Sequence, residues 1–215
     1  MTTWGLFLVL LFSACRSDTQ PRIHGYAEGH FSIQAQEDSV KDYSGFEIFV
    51  ANQVDGDVDT LGIATTDRDG NFSMDIDAAE EGVFPIMVSR AGVPLAVEEY
   101  VVVDGDSANS SARFPLGARR LRIVSMENSA WTAYRNAKLQ HDKSLLSQLH
   151  NAEATVRNMR QAVLQTTTIL WSLRETYSGT RAASLASVEA LGMMEGWNDS
   201  LVVSRLPEIE LDNSR

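Results

Sequence analysis

The chain has 215 residues, 44% of them hydrophobic, and a net charge of −11 from 18 Lys and Arg against 29 Asp and Glu. That length accommodates one large or two small domains with a buried core, and the acidic balance excludes an electrostatic nucleic-acid binder, which needs clustered Lys and Arg. The single cysteine, Cys15, excludes an intrachain disulfide, a CxxC redox pair and a cysteine-rich zinc site.

Residues 4–12 are an apolar run, Trp-Gly-Leu-Phe-Leu-Val-Leu-Leu-Phe, closed by Ser13-Ala14-Cys15. The run is far short of the ~20 residues of a bilayer span and has the length of a signal-peptide h-region. Its n-region, Met1-Thr2-Thr3, carries no side-chain charge. Phe12-Ser13-Ala14-Cys15 resembles the bacterial lipobox, in which a hydrophobic residue and two small residues precede the lipidated cysteine. The resemblance implies that residues 1–14 are a lipoprotein signal peptide, that Cys15 is the lipidation site, and that the chain is lipid-anchored in the bacterial cell envelope, facing the periplasm. Multiple acyl chains, at ~0.8 kcal/mol per buried methylene, anchor stably. Residues 15–22 are polar, contain Pro21 and read as a tether.

From residue 23 to 116 the pattern is β. Strands are expected at 26–35, 46–51, 60–66, 71–77, 83–89, 95–103 and 110–115, with Phe46/Ile48/Val50, Leu61/Ile63/Thr65 and Phe72/Met74/Ile76 each on one face by the two-residue strand period. Asp67-Arg68-Asp69-Gly70 supplies the turn for a tight hairpin between the third and fourth strands. Seven short strands with such turns predict an antiparallel, Ig-like β-sandwich. The acidic turns raise a calcium reading, but EF-hand loops begun at Asp67 or Asp55 put Phe72 or Thr60 where glycine is required. A looser cation site at Asp55, Asp57 and Asp59 competes with plain turn formation by Asp and Gly, which explains these residues without a metal.

Thr65-Thr66-Asp67-Arg68-Asp69-Gly70-Asn71-Phe72-Ser73-Met74, followed by Phe84 to Ser89 and Gly92, resembles the carboxypeptidase regulatory-like, transthyretin-related sandwich. The resemblance covers fewer than ~30 residues and implies a non-catalytic module used for spacing or partner contact.

Charge and periodicity both change near Gly117. Residues 16–116 hold six Lys and Arg against 19 Asp and Glu, net −13, whereas residues 117–215 hold 12 against 10, net +2. The second half, 117–206, is expected to be an α-helical hairpin or small bundle, giving an α+β fold overall. A first helix is expected over 127–140, opened by Ser125 or Asn128. Then Leu145, Leu149, Ala152, Val156, Met159, Val163, Thr166, Leu170, Leu173 and Tyr177 alternate steps of four and three, the seam of packed helices. A continuous helix of that length is ~50 Å long at 1.5 Å per residue and needs a partner. The partner is either the chain itself, folded back near His141-Asp142 and along a helix over 180–197 that carries Leu185, Val188 and Leu191, or a second copy. Ser178-Gly179 stops the long helix, Asn198-Asp199 caps a last short one through Leu206, and a frayed tail follows from Pro207.

Catalytic signatures are thin. His24, His30, His141 and His150 are dispersed, the Glu80-Glu81 and Glu98-Glu99 pairs diverge on a strand, and no G-x-S-x-G, Walker loop or dinucleotide fingerprint occurs, so neither an enzyme nor a cofactor is indicated. Trp131, Trp171 and Trp197 read as packing anchors. Met126 to Trp131, Thr168 to Trp171 with Tyr177, and Glu195 to Leu201 together are similar to the non-catalytic region preceding the thioredoxin domain in membrane-anchored, thioredoxin-family (TlpA-like) thiol-disulfide reductases of Bacteroidetes-type bacteria. Two functions follow as expectations. One is a lipid-anchored interaction or scaffold module with a protein partner in the envelope. The other is an accessory or truncated part of a thiol-disulfide oxidoreductase that needs a thioredoxin-fold partner.

Overall fold

The computed structural model describes residues 22–34, 42–54, 57–117, 119–151 and 155–209. Its strands are β1 (Ile23–Ile33), β2 (Phe46–Val54), β3 (Asp57–Thr65), β4 (Asn71–Ala78), β5 (Gly82–Arg90), β6 (Val93–Val102), β7 (Ser107–Phe114) and β8 (Arg122–Val124). The helices α1 (Met126–His150), α2 (Val156–Thr176), α3 (Arg181–Met194) and α4 (Asp199–Arg205) follow, then a single 3-10 turn, Leu206–Glu208.

The strands form two four-stranded sheets, ordered β4-β1-β7-β8 and β3-β2-β5-β6. Between them lies one core, in which Phe31, Phe46, Phe72 and Phe114 interlock at one end and Ile48, Val50, Ile76, Ile86, Val88 and Val102 fill the middle. The expected inward sets on β2 and β4 are buried. On β3 the register shifts between Val50 and Ala51, so Leu61 and Gly62 are both buried while Ile63 is 69% exposed. Leu61 and Ile63 therefore do not share a face, because a bulge adds a residue and resets the period.

Two features correct the all-antiparallel, seven-stranded expectation. The eighth strand, β8, pairs with β7, and β1 pairs with β7 in parallel, Tyr26 opposite Ser107 and Ile33 opposite Phe114. Strands this far apart in sequence need no turn to join them, so the hairpin constraint that dictates antiparallel neighbours does not apply. At Gly29 a Cβ would lie 2.0 Å from the Ser110 carbonyl oxygen, so β1 and β7 approach as closely as glycine allows.

The Asp67–Gly70 turn forms, with Gly70 at φ +88° and its N–H donating to the Asp67 carbonyl at 3.0 Å. It is not a hairpin within one sheet, as expected, because β3 pairs with β2 and β4 pairs with β1. Thr66 Oγ1 accepts from Phe46 N–H at 3.0 Å and donates to Tyr43 O at 2.7 Å, holding the end of β3 to its sheet. Phe31 N–H donates to Gly70 O at 2.8 Å, drawing the start of β4 to the other. The turn is thus the arch between the layers.

The helices form a small bundle around Leu170, packed with Tyr134, Ala137, Leu173, Ala186 and Ala190. The long seam is not one helix. The helix α1 runs through His141-Asp142 to His150, and α2 starts afresh at Val156, where Thr155 Oγ1 accepts from Asn158 N–H. A capping threonine supplies a competing local hydrogen bond that the hydrophobic spacing does not register. On α3 the buried face is made of small residues, Ala182, Ala183, Ala186, Ser187 and Ala190, closed by Leu191 and Met194; of the expected Leu185, Val188 and Leu191, only Leu191 packs inward, while Leu185 and Val188 face solvent. Gly179, at φ +83°, lies past the end of α2, and Asn198 caps α4. Among the described residues, no helix is long and apolar enough to cross a membrane.

Candidate functional site: the junction of sandwich and bundle

The two sheets end, on one side of the sandwich, in the edge strands β6 and β8, and α1 lies against both. Ser125 caps α1 by accepting from Asn128 N–H. The Asn128 side chain then turns back to the sheet. Its Oδ1 accepts from Val101 N–H at 2.8 Å and its Nδ2 donates to Val101 O at 3.1 Å, so a side-chain amide completes one rung of the β6 ladder. Next to it, the buried Glu127 carboxylate accepts from Arg181 N–H at the start of α3, and Arg181 Nη1 donates to Glu81 at 2.8 Å. Burial raises the Glu127 pKa above its ordinary 4.5, the Arg181 amide opposes this, and the Asp106 and Glu81 charges add to the rise. The sandwich and bundle are therefore fixed to each other by the buried Asn128 and Glu127 bonds and, at the surface, by the Arg181–Glu81 pair.

Further along α1, Glu99 of β6 accepts from Trp131 Nε1 at 2.6 Å and pairs with Arg135 at 2.9 Å. Beyond this contact the helix and the sheet edges enclose a cleft of about 510 Å³. Glu98 and Glu99 form one wall, the segment Arg120 to Ile123 another, and Trp131, Arg135, Lys138, Leu139 and Asp142 of α1 the third. Lys138 pairs with Glu189 at 2.7 Å, and Glu189 also accepts from the Tyr134 hydroxyl. Burial first, then that hydrogen bond, raises the Tyr134 pKa, while the bond to Glu189 raises that of Lys138. Among the described residues Arg120 and Arg122 have no ion-pair partner.

The residues singled out from the sequence are dispersed. Cys15 and Asp55 lie outside the described residues. Asp57 and Asp59 are on β3, and Asp59 is exposed. Among the described residues no three His, Cys, Asp or Glu side chains converge as metal ligands would. Of the seam, Leu170 and Leu173 are buried inside the bundle, and Leu145, Met159 and Val163 are half-buried. Leu149 and Val156 face solvent at the α1–α2 tip, so the seam divides into a closed part and an open one. His141 Nδ1 is 2.9 Å from Thr166 Oγ1, a packing contact between α1 and α2. Glu208 is held by Arg174 at 3.1 Å, so the chain stays attached past Pro207.

No protein-family model matches the chain, and comparison with curated proteins returns no match. Among solved structures, a type II cohesin–X-dockerin complex from Acetivibrio cellulolyticus with an N-terminal interface mutation aligns at 17% identity with a TM-score of 0.27. The alignment covers 40% of this chain, which spans about half (52%) of that one.

Proposed function

We propose that this chain is a membrane-anchored lipoprotein of the bacterial cell envelope, facing the periplasm through a lipid on Cys15, and that its folded part is a non-catalytic interaction module for an envelope protein. The observation that carries the interaction role is the α1–α2 tip. Leu146, Leu149 and Val156 are 65%, 61% and 77% exposed there, whereas Thr166, Leu170 and Leu173 further along the seam are buried. Exposed aliphatic side chains at the end of one helix and the start of the next support a contact surface there. The lipobox-like Phe12-Ser13-Ala14-Cys15 supports the anchor. The tether of residues 15–22 leads into β1, whose first residue pairs with Ala78. Nearby, Asp104 accepts from His24 N–H, and Glu81 links Asp104 N–H to Arg181 of the bundle.

Labelling with a palmitate analogue marks the wild type and not Cys15→Ser; equal labelling overturns the anchor. A photocrosslinker at position 149 gives one adduct of defined mass in native membranes, suppressed by Val156→Glu. A crosslinker at Ala91, in the turn after β5, gives none. Equal adducts from both positions, or none from 149, overturn the interaction role.

A further inference from the structure

We propose that the cleft between β6, β8 and α1 is a docking site for an extended polypeptide segment, which adds to the β6 edge as a fifth strand of that sheet. The proposal deepens the interaction role above and rests on it for the occupant being a protein.

The edge itself states what it lacks. Asn128 bonds both the N–H and the C=O of Val101, so these groups point away from β5. In an antiparallel ladder the residues two and four positions back point the same way. Glu99 and Val97 therefore also direct their backbone N–H and C=O outward. The register agrees: Glu99 lies opposite Pro85, which has no N–H to offer it. No backbone partner among the described residues meets these groups. Val101 is buried, whereas Glu99 and Val97 are 41% and 59% exposed as the strand emerges from beneath α1.

Edge strands are normally blunted by proline, by bulges or by a covering element. On β6, Pro94 and the register shift opposite Val88/Ser89 protect one end, and Asn128 with α1 protects the other. The stretch between them, Val97 to Glu99, has no proline, bulge or backbone cover; its two charges are Glu98, which borders the cleft, and Glu99, whose carboxylate is tied to Trp131 and Arg135. Addition of a strand there continues the ladder that Asn128 begins, the recognition mode in which main-chain hydrogen bonds supply affinity and alternate side chains supply specificity.

The walls define the occupant's side chains. Arg120 and Arg122 stand without ion-pair partners among the described residues, while Arg135 is held by Glu99 and Lys138 by Glu189. Two carboxylates, Glu98 and Asp142, also border the cleft, at the β6 wall and the far end of α1. Ile123 and Leu139 provide apolar surface, with the core residue Leu121 behind them. Because side chains on a strand alternate between faces, the matching segment alternates aliphatic residues with carboxylates directed at Arg120 and Arg122.

The test uses the full chain in detergent micelles and the peptide Ac-Glu-Val-Glu-Val-Glu-Val-NH2. Two further versions are N-methylated on the odd or the even residues, and a fourth has Lys in place of Glu. The parent peptide is expected to bind and to protect the Val97 and Glu99 amides from hydrogen exchange. One of the two methylated versions loses about tenfold or more in affinity through its missing main-chain donors. Arg120→Glu with Arg122→Glu weakens the Glu peptide by about fivefold or more and favours the Lys peptide. Equal binding by both methylated versions, or no binding of the parent at millimolar concentration, overturns the proposal. Protection at the Leu146–Val156 tip instead overturns the cleft while leaving the interaction role standing.

Discussion

Asn128→Ala isolates the bond between the two halves of the molecule. Asn128 is 2% exposed and Val101 5% exposed, so neither Val101 backbone group has water to fall back on once the amide is gone. Each buried group left without a partner costs about 1–3 kcal/mol, so the pair costs about 2–6 kcal/mol. The backbone part of the α1 cap survives, because Ser125 Oγ accepts from the backbone N–H of residue 128, which alanine retains, while the second bond to Ser125 Oγ, from Asn128 Nδ2 at 3.0 Å, is lost. Most of the loss is therefore expected at the junction, and exchange of the Val101 amide separates it from the change at the helix start. Urea unfolding should show the destabilisation, and the Val101 amide should exchange faster by about two orders of magnitude. A shift below about 0.5 kcal/mol, or an unchanged Val101 amide, refutes the view that the side-chain amide acts as a rung of the sheet. Asn128→Asp sharpens the test. The carboxylate still accepts from Val101 N–H but meets the Val101 carbonyl with no proton, so this variant should be less stable at neutral pH than in acid, where the protonated form donates.

Glu127→Gln should flatten one component of the pH dependence. Burial raises the folded pKa of Glu127 above 4.5, so the folded state favours its protonated form. That contribution is full below the unfolded value and is lost as pH rises through the folded one. Melting temperature as a function of pH should show the Gln variant gaining on wild type across that window, and a constant difference would contradict this. Leu170→Ala, at a residue with no exposure, should cost about 2–5 kcal/mol in chemical unfolding, and a loss under about 1 kcal/mol would mean the bundle core collapses around the gap. Gly29→Ala drives a methyl group into the Ser110 carbonyl. It should separate β1 from β7 and abolish cooperative unfolding, and a normal transition would show that the two strands can move apart without loss of cooperativity.

Much of the architecture is legible in the residues, and the misses share a cause. The period-two runs of β2 and β4 and the change to helical spacing after Gly117 follow from burial of one face, which hydrophobic pattern reports directly. Pattern carries no information on which strands pair across long stretches of chain. That is why the parallel β1–β7 contact and the arch at Asp67–Gly70 differ from expectation. Nor does spacing register a break made by hydrogen bonds: steps of three and four continue past Thr155, although its hydroxyl starts a new helix. At the junction the decisive groups are polar. Asn128 reads only as a helix cap, and nothing in the pattern marks Glu127, Glu99 or Arg181, until the fold brings distant groups to them. One signal was present in the sequence: Arg120-Leu121-Arg122-Ile123 alternates as a strand does, and it marks both β8 and the basic wall of the cleft.

The parallel contact between β1 and β7 also orders events in time. The sheet β3-β2-β5-β6 is built from neighbours in sequence, apart from the excursion through β4, and the bundle from consecutive helices. Both can form from local contacts, which are fast to find. The other sheet can only close when residues 107–114 reach a strand laid down at the beginning of the domain, against the entropy of a long loop. Until then β1 offers an unpaired edge beside a half-covered aromatic core. A chain cut short before β7 is therefore expected to be a sticky, protease-sensitive species, and quality control in the cell would read the completeness of the molecule from that one edge.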